Sequence, residues 1–239
     1  MGALIEAWHT LVPPRSDRDG PLSPALVLLT IATGAVDAVS YLSLGHVFVA
    51  NMTGNVVFLG FAAVGAGGFT PGPSLTALAA FAVGSAAGGR LAAARRDHRG
   101  RLLASALALQ AALILVACLV SGLARGGAAS YTLIALLAAS MGLQNAAVRR
   151  LGVPDLTTTV LTMTVTGMFA DGRALGGPGA AWGRRALSVA SMIAGAVTGS
   201  VLLLHASQTA ALLVPLGLVV AVAAGIGGLS RRRPAWSVP

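Results

Sequence analysis

The sequence predicts an all-α, polytopic membrane protein, and three observations carry that prediction. Of 239 residues, 56% are hydrophobic and 10% are charged, with a mean hydropathy of +0.82. A soluble domain carries about 25% charged residues, so this chain has too little polar surface to cover itself in water. Six apolar segments approach the ~20 residues that a spanning helix needs. The arginines gather in short clusters between those segments, as the positive-inside rule expects.

Residues 1–21, MGALIEAWHTLVPPRSDRDGP, read as a short cytoplasmic tail whose Leu4, Ile5 and Trp8 touch the membrane. Its basic residues follow the apolar patch, which is not the layout of a signal peptide. Glu6 stands where a myristoylation motif needs Ser or Thr. The spanning segments are Pro24–Leu44, Leu75–Ala94, Leu102–Leu123, Tyr131–Val148, Ala186–Leu204 and Gln208–Leu229. They form one integral membrane domain over 22–230, followed by a cytoplasmic tail at 231–239. The single cysteine, Cys118, lies inside an apolar run, which excludes a disulfide within the chain.

Two more apolar stretches carry polar residues where a span should not. Val47–Val64 begins VFVANMTGNVVFLG, and Leu156–Ala170 reads LTTTVLTMTVTGMFA, with six threonines. Arginine placement tests whether they cross. The loop with Arg90, Arg95, Arg96, Arg99 and Arg101 should be cytoplasmic, as should Arg15 and Arg18 and Arg231, Arg232 and Arg233. A full crossing by Val47–Val64 would put the five-arginine loop outside. Arg149 and Arg150 precede the threonine stretch, and Arg173, Arg184 and Arg185 follow it, so both of its flanks should be cytoplasmic. The consistent arrangement is six spanning helices with two re-entrant or broken segments, the first entering from outside and the second from inside. Eight full crossings also leave both termini inside, but they break the rule at the five-arginine loop.

The halves, about 24–123 and 131–229, resemble each other. Gly34, Asp37 and Ala38 answer Gly142, Asn145 and Ala146. Gly84-xxx-Gly88 answers Gly195-xxx-Gly199. Three crossings per half would make the second half inverted relative to the first, the pattern of many transporters. The glycine pairs fit close packing of helices, either between the repeats or in a homo-oligomer.

The candidate site residues follow from this layout. Asp37 is the only acid well inside a predicted span, and an intramembrane carboxylate marks a functional site by default. It could couple protons, orient substrate, or hydrogen-bond backbone freed where the helix unwinds. Asn51, Thr53, Gly54 and Asn55 can satisfy broken backbone at membrane depth, with Gly54 permitting an unusual turn. The same groups, with the N–H groups of a following half-helix, can line a substrate site. The second half contributes Gln144 and Asn145 with Thr157, Thr158, Thr159, Thr162, Thr164 and Thr166. A threonine can also return its hydroxyl to its own helix. Asp155 and Asp171 bracket the threonines at the interface, with Asp171 expected to pair with Arg173 or to cap. His46 lies beside the first motif and is expected at the interface.

Several function classes are excluded. The four histidines lack metal-ligand spacing, and there is no zinc-protease, serine-hydrolase or P-loop motif. No enzyme, metal or cofactor is expected. The arginines do not line one amphipathic face, so nucleic acid is not a partner; the lipid bilayer and a small solute are.

GAVDAVSYLSLGHVFVANMTGNVVFLG at 34–60 and PDLTTTVLTMTVTGMFAD at 154–171 resemble the YoaK family of small bacterial inner-membrane proteins, over roughly residues 24–229. Met163 departs from the small or polar residue expected there. The resemblance implies a polytopic protein of the bacterial inner membrane and supplies no activity. The residues themselves point to a small-solute transporter or channel-like permease, with a site where the two broken segments meet. The alternative is a non-transporting assembly or sensor protein that uses its glycine-rich faces.

Overall fold

A computed structural model describes residues 2–14, 16–124, 126–156, 158–159, 161–171, 181–232 and 235–237. Among the described residues there are nine α-helices and no strand. They are α1 (Gly2–Leu11), α2 (Leu22–Ser43), α3 (Met52–Ala63), α4 (Pro71–Ala94), α5 (Arg99–Leu123), α6 (Gly127–Leu151), α7 (Leu161–Ala170), α8 (Trp182–His205) and α9 (Gln208–Leu229). Six of them, α2, α4, α5, α6, α8 and α9, are long and apolar enough to cross a membrane. They are the six expected spans, and most begin or end beyond the apolar run. The caps explain why. Proline opens α4 in the first helical turn, where its missing N–H costs nothing. His98 Nδ1 accepts the Arg101 N–H at 3.2 Å and starts α5 three residues early. α6 runs on through Arg149 and Arg150 until Gly152, whose left-handed φ of 64° ends it. The N-terminal tail is not plain chain, because residues 2–11 form α1.

Contacts fix which helix ends lie together. The buried Arg99 donates from Nη2 to Asp19 Oδ1 at 2.7 Å and to the Leu151 carbonyl at 2.9 Å. This joins the chain before α2, the start of α5 and the end of α6. Gly100 lies against Ser230 and Trp236, which brings the end of α9 to the same place. Thr209 donates to Ser121 Oγ at 3.1 Å and joins the start of α9 to the end of α5. So α5 and α9 are antiparallel, and α2 starts where α4 ends.

Residues 44–70 therefore leave and return at the end away from Arg99. Gly45 and Pro73 meet there; a Cβ on Gly45 would lie 3.4 Å from Pro73 Cγ. α6 ends and α8 begins at the Arg99 end, where Arg184 reaches the Pro154 carbonyl. The two broken segments enter the bundle from opposite ends. α3 and α7, of 12 and 10 residues, are ~18 and ~15 Å long at 1.5 Å per residue. Neither reaches across a hydrocarbon core of about 30 Å.

Two glycine-lined helix pairs hold the bundle together. In α2 and α8, Gly34 abuts the Met192 carbonyl, Gly195 abuts Ile31 and Gly199 abuts Ala35. In α4 and α6, Gly84 abuts Ala139, Gly142 abuts Phe81, and Gly88 abuts Leu143 and Ala146. One turn on from Ile31 to Ala35 matches one turn on from Gly195 to Gly199, and Gly84 to Gly88 matches Ala139 to Leu143, so both pairs are parallel. Backbones approach this closely only where no Cβ intervenes. Leu26 and Leu29 of α2, Leu103 and Leu107 of α5, and Leu137 and Met141 of α6 belong to the buried apolar core.

Candidate functional site

The first broken segment is held by two side chains. Asp37 Oδ1 accepts the N–H groups of Val49 at 3.0 Å and Ala50 at 2.8 Å, and its Oδ2 accepts Asn51 Nδ2. Asn55, fully buried, receives the Phe48 N–H at 3.0 Å and donates to the Phe48 carbonyl at 2.6 Å. The amides of a non-helical stretch inside the bundle thus find partners in an adjacent carboxylate and carboxamide, as buried backbone requires. Gly54 does not make the turn expected of it. It sits in the first turn of α3, and a Cβ there would come within 2.7 Å of the Phe48 ring. The left-handed turn belongs to Gly45 (φ 93°) and His46 (φ 55°). His46 is exposed and meets Tyr41 edge-on at 5.3 Å. Rings stacked from Tyr41 through Phe48 and Phe58 to Phe69 seat α3 on its flanks.

The second segment is held from α6. Thr159 donates to Asn145 Oδ1 at 2.7 Å, and Asn145 Nδ2 donates to the Met141 carbonyl at 3.0 Å. Gln144 is fully buried. Its Nε2 donates to Thr33 Oγ1 at 3.1 Å and Thr158 Oγ1 at 3.3 Å, and its Oε1 accepts Gln110 Nε2 at 2.7 Å. Thr158 is buried with a φ of 61°. Gln110 is a member of this network that the sequence reading passed over. Its signal was a lone amide within the apolar run of α5.

Between the two segments lies a cavity of about 870 Å³. Asn51 and Thr53 line it from one segment, Thr159 and Thr162 from the other, and Asn145 from α6. The first residues of both short helices, Met52 and Leu161, also face it. Helix N-termini expose unpaired N–H groups and carry partial positive charge. Arg149 and Gly152 line the cavity toward the Arg99 end. Asp37, Gly54, Asn55, Gln144 and Thr158 do not line it; they stand behind its walls. The chemistry on offer is amides, hydroxyls and helix N-termini, suited to hydrogen-bond acceptors. Among the described residues no group of three His, Cys, Asp or Glu could hold a metal.

The other threonines point elsewhere. Thr164 and Thr166 line a second cavity of about 400 Å³ with Asp155, Asp171 and Arg185. Arg185 Nε donates to Asp155 Oδ1 and its Nη2 to Asp171 Oδ2, each at 2.8 Å. One guanidinium therefore bridges the two acids that bracket α7, lying over Gly167. Asp171, expected to pair with Arg173 or to cap, has Arg185 as an ion-pair partner. Thr157, Arg15, Arg173 and Arg233 lie outside the described residues.

The family model described as protein of unknown function (DUF1275) matches residues 25–225. The UPF0700 transmembrane protein YoaK of Bacillus subtilis (strain 168) is 40% identical over 148 residues, 61% of this chain. The chain spans 65% of the length of that relative. No solved structure matches the chain.

Proposed function

The chain belongs to the DUF1275 family, and we propose that this multi-pass membrane protein is a small-solute transporter or channel-like permease whose site is the cavity between the two broken segments. The observation that carries the reading is the convergence of the α3 and α7 N-termini on one cavity lined by Asn51, Thr53, Asn145, Thr159 and Thr162. Non-helical backbone at membrane depth is tolerated where it is buried in protein or lines a cavity, and facing half-helix N-termini suit a solute that accepts hydrogen bonds. A small neutral or weakly anionic solute fits these groups better than a cation.

The helix directions support the same reading through an inverted repeat of the two halves. α2 and α8 run parallel in one sense, α4 and α6 run parallel in the other, and the antiparallel α5 and α9 pack together. This is the reciprocal arrangement that two inverted three-helix halves would make. Asp37 acts here as a backbone clamp for the first segment. The arginine-rich end faces the cytoplasm of the bacterial plasma membrane, with both termini on that side, as the positive-inside rule favours. The cavity then opens inward, past Arg149.

The alternative, an assembly or sensor protein using its glycine faces, has less support. Gly84, Gly88, Gly195 and Gly199 lie against α6 and α2 of the same chain and are not free for a partner. The test is a proteoliposome flux screen over small neutral and anionic solutes. Flux reduced by Thr53→Val and by Thr162→Val, with folding intact, supports the reading. Absence of flux for every solute, or flux indifferent to both changes, overturns it.

A further inference from the structure

α1 is a ten-residue helix with three distinct sides. At about 100° per residue, Ala3, Ala7 and Thr10 share one side, and this is the side against α8. Thr10 is 1% exposed, and Gly183 of α8 abuts the Ala3 carbonyl and the Ala7 N–H. Glu6 lies next to that side and its Oε2 accepts the Gly183 N–H at 3.0 Å, capping the first turn of α8. Gly2 and His9 form a second, exposed side. Leu4, Ile5, Trp8, Leu11 and the following Val12 make the third. All five are exposed, Leu4 by 79% and Trp8 by 61%. They fall within an arc of ~120° on the helix wheel.

We infer that this third side is a membrane-surface anchor, with α1 lying in the headgroup–acyl boundary of the bilayer. Two observations select lipid as the occupant. First, α1 is docked on the opening turn of α8, a helix long and apolar enough to span. Its apolar side thus continues the surface that α8 presents through the exposed Ile193, Val197 and Val201. Second, the exposed side of Gly2 and His9 stands about 100–120° round the helix from the centre of the apolar side, so a helix in the plane of the interface can keep the one in water while it buries the other. Trp8 is the residue type that collects at this depth. The one acid of the helix, which would oppose insertion, is engaged by α8. The anchor holds α1 whether or not the protein moves a solute, because it rests on the spanning helices alone.

Site-directed spin labelling of the whole chain in liposomes tests this. Cys118, the single cysteine, is replaced by alanine, and one label is introduced by Leu4→Cys, Trp8→Cys, Leu11→Cys or His9→Cys in turn. Collisions with oxygen, which concentrates in the bilayer, are compared with those of a water-soluble nickel chelate. Oxygen should dominate at positions 4, 8 and 11, and the ratio should invert at position 9. Equal nickel access at positions 8 and 9 overturns the proposal. So does dipolar broadening between labels at position 8, which would make the occupant a second copy of the chain. A fully labelled, properly folded His9→Cys protein guards against reading a misfolded chain as exposure.

Discussion

Thr159 donates to Asn145 at 2.7 Å from fourteen residues downstream, and Asn51 is joined to Asp37 across the same fourteen-residue interval. Each member of the first pair stands 108 positions after its counterpart in the second. The same device, a polar residue on a spanning helix reaching a polar residue at the edge of a broken segment, appears once in each half. Thr159→Val should therefore loosen the second cavity wall. The expected loss is about 1 kcal/mol of stability, the net value of one buried hydrogen bond. A double-mutant cycle with Asn145→Ala, followed by thermal unfolding in detergent, should return a coupling of that size; additive effects would count against the pair.

Asp37→Asn should be more damaging. The carboxylate accepts from two backbone N–H groups and one side-chain amide, and a carboxamide would turn a donor toward donors or lose one contact. About 1–3 kcal/mol is expected, the cost of leaving buried donors unsatisfied. Hydrogen exchange at Val49 and Ala50 should accelerate before exchange in α2 does. Unchanged protection at both amides would remove the clamp role.

The glycines separate into two kinds, and alanine substitution distinguishes them. Gly84→Ala and Gly195→Ala drive a methyl group into the backbone of Ala139 and Ile31. Overpacking of this sort costs roughly 1–3 kcal/mol. Gly89→Ala, on the same helix as Gly84, meets nothing within 4 Å and should stabilise by up to about 1 kcal/mol through helix propensity. Opposite signs of melting-temperature shift at 84 and 89 are the expected result.

Arg185→Lys should weaken the hold on α7 although the charge is kept. An ammonium cannot present the fork that reaches Asp155 and Asp171 together, so one acid loses its partner. A loss of about 1–3 kcal/mol is expected for a hydrogen bond to a charged group. Limited proteolysis on either side of α7 should quicken, with α2 to α5 unaffected.

The entry side of the first broken segment is open to direct labelling. In a Cys118→Ala background, Gly67→Cys should react with an impermeant thiol reagent from outside, and Asp97→Cys from the cytoplasm. Gly67 is exposed, with no positive φ and open space around it, so the substitution is unstrained. The reverse pattern, Gly67→Cys labelled from the cytoplasm and Asp97→Cys from outside, would mean that residues 44–70 cross.

Spans were legible because an apolar run long enough to cross a bilayer has few other readings. Their ends were not, since Pro71, His98 and Gly152 act through capping geometry that hydropathy does not register. The broken segments announced themselves through Asn51, Thr53 and the threonines, and Asn51, Thr53, Asn145, Thr159 and Thr162 do line one cavity. The division of labour within each cluster was hidden. Asn55 and Gln144 look like site residues in one dimension, yet both are consumed by neighbours inside the bundle. Arg185 was counted only as a cytoplasmic marker, because nothing in its local sequence points to acids 30 positions before it and 14 before it.

The crossing of glycine-lined pairs between the halves bears on how the protein is made. The face of α2 that carries Gly34 has no partner until α8 emerges from the ribosome, and the Gly84 face of α4 waits for α6. Nascent chains stopped before residue 182 should therefore remain beside the insertion machinery and crosslink to it through Ile31 or Ala35. Release should come only once α8 is long enough to settle alongside α2.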